Sequence, residues 1–341
     1  MDTGNAEGIG LLNRIALCFP LENSQCQQIR EAAEGWEVIN AGQEGIADAI
    51  LEVDIFCGHA KVPIPWPEVV RQGRLQWIQS SAAGLDHCLT PEVVQSPIRV
   101  TSASGLFANQ VAEQTMALLL GILRRVPVFL KAAQTKEFIR RPTDDLHGKT
   151  IGIVGFGGNG RRIAEILAPF GNRILATDRF PTQCPPHVDQ LLPADRLHEL
   201  LQNSDVVILC IPLLESTRHL IDEKALSVMR SNTILINVAR GQVVDEKALI
   251  QSLQNGGLAA AGLDVTYEEP LPPDNPLWEM ANVLISPHVG AQSARRVPDT
   301  VEFFCKNLAR FRNGLSLHNE VDKELGFPRP PEVECQPDTP R

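Results

Sequence analysis

The chain has 341 residues, 43% apolar and 21% charged, with a formal net charge of −10; this length suggests about two domains of an ordinary soluble protein. The acidic balance excludes the basic face that nucleic-acid binding needs and a polybasic membrane anchor. The longest apolar runs, Met116–Leu123 and Val206–Leu214, fall short of the ~18 residues of a spanning helix.

Met1-Asp2-Thr3-Gly4 is acidic where a secretory leader is basic. Cysteines at 18, 26, 57, 88, 184, 210, 305 and 335 form no C-x-x-C pair, so neither zinc nor a disulfide framework is expected. A reduced, cytoplasmic setting follows.

Along the first third, strands are expected at 14–19, 37–39, 54–58, 75–79 and 98–101. Helices are expected at 24–34, 46–51, 65–72 and 90–95, the last opened by Thr90-Pro91, a hydroxyl cap with proline at the first helical position. A longer helix over 109–124 follows, then a weaker one over 126–141 interrupted by Pro127. A sharper series starts at Lys149. Its strands are expected at 150–154, 173–177, 206–210, 233–237, 259–263 and 282–286, and its helices at 159–170, 197–202, 223–229 and 246–254. Asp222 and Asp245 suit N-caps, and Gly256-Gly257 a helix stop. A last helix is expected over 293–312. The segment after Gly326 holds five prolines in fifteen residues and is expected to be disordered.

Alternating strands and helices predict an α/β protein with two doubly wound parallel sheets. The six strands of the second series fit the dinucleotide-binding order 3-2-1-4-5-6. The expected division is a smaller substrate domain, 1–108 plus 297–326, into which a Rossmann NAD-binding domain, 109–296, is inserted, with 327–341 as the tail.

The first strand of the second series runs into Gly155-Phe156-Gly157-Gly158-Asn159-Gly160 and then a helix. This is G-x-G-x-x-G in the context that gives it meaning: a glycine for the turn, one for approach of a pyrophosphate, and one for close helix–strand packing. The helix start offers N–H groups and the positive end of its dipole to phosphate. Asp178 ends the next strand, where a carboxylate accepts bonds from the adenosine ribose hydroxyls and repels a 2′-phosphate. NAD is therefore expected over NADP, although the adjacent Arg179 is a residue that accommodates that phosphate.

Ligands of this fold sit outside the carboxyl ends of the strands, and the last three strands end informatively. They lead into Asn237-Val238-Ala239-Arg240-Gly241, into Leu263-Asp264 followed by Glu268-Glu269-Pro270, and into Pro287-His288-Val289-Gly290. A cation, two acids and a histidine thus converge on one rim. Hydride delivered to a 2-keto acid leaves an alkoxide that needs a proton, and histidine is its natural donor. Glu269 is placed to orient His288 and favour its protonated form. Arg240 suits a bidentate grip on the substrate carboxylate or polarisation of the carbonyl. Asp264, nearer its strand end, is expected to meet the nicotinamide carboxamide.

These segments resemble the D-isomer-specific 2-hydroxyacid dehydrogenase family, which includes phosphoglycerate dehydrogenases and glyoxylate or hydroxypyruvate reductases. The likeness covers about residues 14–326. It implies that Arg240, Glu269 and His288 are the catalytic triad, that the substrate has the D configuration, and that Val111, Pro212, Thr217, Val238 and Ala239 lie beside the cofactor with Arg240 and His288. It also implies that Ser81-Ala82-Ala83-Gly84-Leu85-Asp86 is the substrate loop, in which backbone N–H groups around Ser81, Ala83 and Gly84 receive the carboxylate, small side chains letting an anion approach closely. Lys61, in the preceding loop, is placed to meet a distal anionic group. A homodimer built through the helix at 109–124, with Phe138 near the partner's active site, and hinge closure near 105–110 and 288–296 are further implications. Asn159, Ala291 and Tyr267 depart from the usual pattern. The alternative is an NADH-sensing corepressor-like protein-binding module of the same fold, which the acidic chain without a peptide-docking surface does not favour. Formate dehydrogenases share the fold but pair the histidine with glutamine, where this chain has Glu269.

Overall fold

In the computed structural model, which describes residues 13–329, the chain divides into two units. One runs to Leu106 and takes up Ala294–Arg329; the other is Phe107–Ser293.

The first unit is built on five parallel strands, β1 (Arg14–Leu17), β2 (Glu37–Asn40), β3 (Ile55–Gly58), β4 (Trp77–Ser80) and β5 (Arg99–Thr101), in the order β2-β1-β3-β4-β5. The central strands β3 and β4 are buried along their whole length, as a parallel sheet covered on both faces requires. The helix Arg296–Arg312 belongs to this unit and buries Val301, Phe304 and Leu308 against Ile15, Leu17 and Trp77. Trp77 stacks on Phe304 and Phe311 at centroid distances of 5.4 and 5.3 Å. The last described segment differs from expectation: Phe327–Pro328 pairs with Val321–Asp322 as an antiparallel hairpin, so the expected tail does not begin at 327. Residues 330–341, with Cys335, lie outside the described residues.

The second unit carries seven parallel strands: β6 (Thr150–Val154), β7 (Arg173–Asp178), β8 (Gln190–Pro193), β9 (Val206–Leu209), β10 (Ile234–Asn237), β11 (Ala260–Leu263) and β12 (Val283–Ile285). Their order is β12-β11-β10-β9-β6-β7-β8. Alternate residues serve two cores. Val207 and Leu209 pack with Leu200, Leu226 and Leu249 on one face, while Val206 and Ile208 pack with Leu118, Leu119 and Ile163 on the other. The doubly wound parallel architecture is the expected one, with a correction to strand count and order. The third strand is β8, not 206–210, so the order becomes 3-2-1-4-5-6-7 and the last three strands are the fifth to seventh. β8 lies at the sheet edge, buries only Leu192 and ends in proline, so it leaves no apolar run to read.

The helix Ala108–Leu123 is followed by Val126–Gln134. The second is shorter than expected. Pro127 stands in its first turn, where proline is tolerated, and the helix ends at Gln134, just before Lys136, which is in left-handed conformation with φ 58. Asp222 accepts from the Ala225 N–H, and Asp245 from those of Lys247 and Ala248, the two N-caps expected.

Candidate active site

All strands of the second unit are parallel, so the turns leaving their carboxyl ends gather on one edge. The glycine turn after β6 opens this edge. Gly155 has φ 94, and a Cβ on Gly160 would lie 2.1 Å from the Gly155 carbonyl oxygen. Only glycine lets helix Gly158–Leu167 start this close to the strand. Around Gly157, by contrast, an added Cβ meets nothing within 4 Å, and no side chain caps the helix that follows it. That space, fronted by amides at a helix start, fits a pyrophosphate. Asn159 lies in the first turn of this helix. Asp178 pins the turn in place. One carboxylate oxygen accepts the Phe156 N–H at 2.7 Å and the other the Phe180 N–H at 2.9 Å. Each oxygen keeps a second acceptor site for a ribose hydroxyl. Phe156 is buried beneath the Arg161 guanidinium, 4.7 Å from its ring centroid. Arg179 lies over Phe180 at 5.7 Å.

After β9, the Thr217 hydroxyl donates to the Pro212 carbonyl at 2.7 Å and accepts the Leu214 N–H at 2.7 Å, shaping the turn that carries Pro212. After β10, the buried Asn237 side chain accepts the Ala239 N–H and donates to the Arg240 carbonyl, both at 3.0 Å, folding Val238 and Ala239 into a tight arch that presents Arg240. Arg240 Nη1 donates to the Ala239 carbonyl at 2.8 Å. Val111 is buried in the first turn of helix Ala108–Leu123.

Glu269 and His288 meet on the same edge, with Nδ1 of the imidazole 2.8 Å from Glu269 Oε2. The other carboxylate oxygen accepts the Thr266 N–H at 3.3 Å. Burial pushes the Glu269 carboxyl up. The hydrogen bond and charge of His288, the Thr266 N–H and the charge of Arg240 outweigh that and hold it below the ordinary glutamate value. Arg240, Glu269 and His288 therefore share one electrostatic neighbourhood within a single unit. Because the folded value is the lower one, Glu269 stabilises the fold fully above the ordinary value of 4.5, and that contribution is lost as pH falls through the folded value. In thermal melts, wild type is expected to exceed Glu269→Gln above about pH 4.5 and to lose that lead below it. A lead that persists in strong acid would contradict the pairing.

Asp264 has a structural task that its spacing does not announce. Its carboxylate is buried and committed to the histidine segment: Oδ1 accepts the Ser286 hydroxyl at 2.7 Å and the Val289 N–H at 3.1 Å, and Oδ2 accepts the Gly290 N–H at 2.8 Å. Its carbonyl accepts the His288 N–H at 2.7 Å. His288 has φ 52, a left-handed conformation that costs a non-glycine residue on the order of 1–3 kcal/mol and persists where neighbours over-determine it. Asp264 supplies that determination. Gln114, donating to Ser286 Oγ at 2.7 Å, supports the same bridge.

Other supports carried no sequence signal. Glu246 accepts the Tyr267 N–H and the Asn275 side-chain amide, each at 2.9 Å, and so holds both ends of the segment bearing Glu269. Gln242 donates to the Tyr267 carbonyl at 2.7 Å. Thr266 Oγ1 donates to the Glu268 carbonyl at 2.8 Å. Asn237 alone had a hint, as a polar residue ending an apolar strand.

In the first unit, the expected substrate loop leaves β4. Ser81 donates its N–H to the Gly58 carbonyl at 3.2 Å, and Ala82 to Ser80 Oγ at 3.0 Å. The Ser81 amide is thus already used, which moves the expectation of anion-binding amides onto Ala83 and Gly84. Lys61 is exposed after β3, its N–H held by Gln43 Oε1 at 2.7 Å. Among the described residues no group could hold a metal ion, the described cysteines are free, and no helix is long and apolar enough to cross a membrane.

Residues 116–290 match the family model described as D-isomer specific 2-hydroxyacid dehydrogenase, NAD binding domain. The chain belongs to this family. It is 35% identical over 272 residues to a glyoxylate reductase from Thermococcus onnurineus, covering 76% of this chain and 80% of the relative. Among solved structures, a D-isomer specific 2-hydroxyacid dehydrogenase from Xanthobacter autotrophicus in complex with NADPH and MES superposes with a TM-score of 0.79 at 26% identity, covering 93% of this chain and all of the other. An NADPH-dependent glyoxylate/hydroxypyruvate reductase from Sinorhizobium meliloti, in complex with NADP and sulfate, gives 0.79 at 25% identity over 92% of this chain. This dehydrogenase is accordingly a 2-hydroxyacid oxidoreductase using a nicotinamide dinucleotide, and the glycine turn around Gly157 has the open, amide-fronted form that such a cofactor requires.

Proposed function

We propose that the protein reduces small 2-keto acids of the glyoxylate or hydroxypyruvate type to D-2-hydroxy acids, with NADH preferred over NADPH. The observation that carries this reading is the Glu269–His288 pair at 2.8 Å with Arg240 acting on the same carboxylate. When bound, the cofactor supplies the hydride. The protein supplies the rest. The amides of Gly158, Asn159 and Gly160 at the helix start, behind Gly155 and Gly157, face the pyrophosphate, and Asp178 meets the adenosine ribose. Arg240 binds the substrate carboxylate and polarises the carbonyl. His288, oriented through Nδ1 by Glu269, gives its Nε2 proton to the oxygen as negative charge develops there. Val111, Val238 and Ala239 provide apolar surface beside the nicotinamide. The reverse oxidation uses the same groups, with His288 as base.

The preference for NADH rests on the carboxylate of Asp178, which meets a 2′-phosphate as a like charge. Following NADH absorbance with glyoxylate and hydroxypyruvate tests both parts. Turnover of either acid with a higher kcat/KM for NADH is expected. Equal kcat/KM for NADPH would remove the role given to Asp178, and no turnover of any 2-keto acid would remove the reading. A homodimer completes the proposal: Leu130 on helix Val126–Gln134 and Phe138 just beyond it are 62% and 94% exposed, apolar surface that a second copy would cover.

A further inference from the structure

Tyr267 is the chain's single tyrosine. It follows Thr266, whose N–H donates to Glu269 Oε1, and its own backbone is tied twice. The N–H donates to Glu246 Oε2 at 2.9 Å, and the carbonyl accepts the Gln242 amide at 2.7 Å. A third tie comes from an imidazole that the mechanism does not use. The His219 ring lies against the Tyr267 ring, with centroids 5.7 Å apart and planes at 43°. The chain leaving β9 brings His219 there. Just beyond Thr217, the His219 N–H donates to the Gln242 carbonyl at 2.9 Å. Ile221 continues alongside, donating to the Val243 carbonyl at 3.1 Å and accepting the Asp245 N–H at 3.0 Å. Gln242 thus grips His219 through its main chain and Tyr267 through its side chain, and the two rings close the clamp. The turns after β9, β10 and β11 meet here, all within the second unit.

His219 holds this place at a cost. Its φ of 52 is left-handed, a conformation that glycine adopts without strain and other residues rarely take. Its Nε2 is buried and meets no hydrogen-bond partner among the described residues. Strained backbone and unpaired buried polar atoms persist where the surroundings over-determine them, and they gather at functional sites. His288, the other histidine joined to this segment, has the same φ. We infer that His219 is a positioning residue for the proton donor: its ring, braced on Tyr267, keeps the turn from Thr266 to Glu269 from shifting, so that Glu269 holds the His288 imidazole in register with the substrate. This rests on the 2-keto acid reading above and adds a residue to it. His219 acts only through Tyr267 and Glu269. Small displacements of a positioned group lower a rate steeply, while the glycine turn that receives the cofactor is left as it is.

The test measures single-turnover reduction of glyoxylate and hydroxypyruvate by NADH, NADH affinity by fluorescence, and Tm, in wild type and variants. His219→Gly removes the ring and relieves the left-handed backbone together, so folding is kept. Its reduction rate is expected to fall about tenfold, with NADH affinity within a few-fold and Tm within a few degrees of wild type. His219→Phe, which restores a ring, is expected to return the rate close to wild type. Tyr267→Ala is expected to lose the same factor as His219→Gly, and the double variant no more than either alone, because both break one contact. That comparison carries the test where His219→Phe fails to fold. An unchanged rate in His219→Gly, a lowered Tm with a normal rate in the folded enzyme, or losses that multiply in the double variant would overturn the inference and leave the enzymatic reading intact. No reduction of either acid by wild type would overturn that reading instead.

Discussion

Replacing His288 with Gln is expected to lower kcat for 2-keto acid reduction by about 10²–10⁴, the usual contribution of a positioned general acid, while NADH affinity stays within a few-fold. The ring is held through Nδ1 by Glu269 at 2.8 Å, and its backbone is held by Asp264, so the remaining nitrogen alone is free to serve the substrate. A glutamine side chain retains a hydrogen-bond donor but has no proton to release. The two readouts separate the roles. Single-turnover reduction reports the chemistry, and quenching of NADH fluorescence reports binding. A variant with more than half the wild-type kcat would end the assignment of His288 as the acid.

The second large effect is expected from Gly241→Ala. A Cβ there would lie 1.8 Å from the Thr266 carbonyl oxygen and 2.5 Å from the Tyr267 nitrogen. Both are backbone atoms, so no rotamer change relieves the clash. The turns after β10 and β11 must part, and these turns carry Arg240 and Glu269. A loss of about 1–3 kcal/mol is expected, read as a lowered Tm, together with a fall in kcat/KM. Wild-type Tm and activity in this variant would mean that the close approach of the two turns has no part in stability or catalysis.

What could be read from the sequence tracks how locally each feature is encoded. The glycine turn, Asp178 at the end of its strand, and the three polar clusters after apolar strands are contiguous patterns, and each names its own chemistry. β8 escaped because an edge strand that buries one leucine carries no periodicity. The helix beginning at Val126 ends at Gln134, short of the expected 141, because Lys136 rather than glycine takes the left-handed position beyond it and leaves no stop to read. Asp264 stands on the expected edge, and its second task is invisible in the spacing: its carboxylate accepts from Ser286, Val289 and Gly290, which come from another strand end. Glu246 looked like the first residue of a helix, which it also is. His59 and His87, whose rings stack with centroids 3.9 Å apart, are separated along the chain by a whole strand and helix, and only the parallel register of β3 and β4 brings them together.

The grip of Glu246 on both Tyr267 and Asn275 has a consequence for how this enzyme can vary. A segment tied at its two stems by one carboxylate is a closed ring, not a tether, and Thr266 fixes Glu268 and Glu269 to the near stem. Leu271 packs on the core and the Pro272 carbonyl accepts from Asn275 and Trp278, so the exposed Pro273 and Asp274 are the part of the rim where side chains can drift while the proton donor keeps its address.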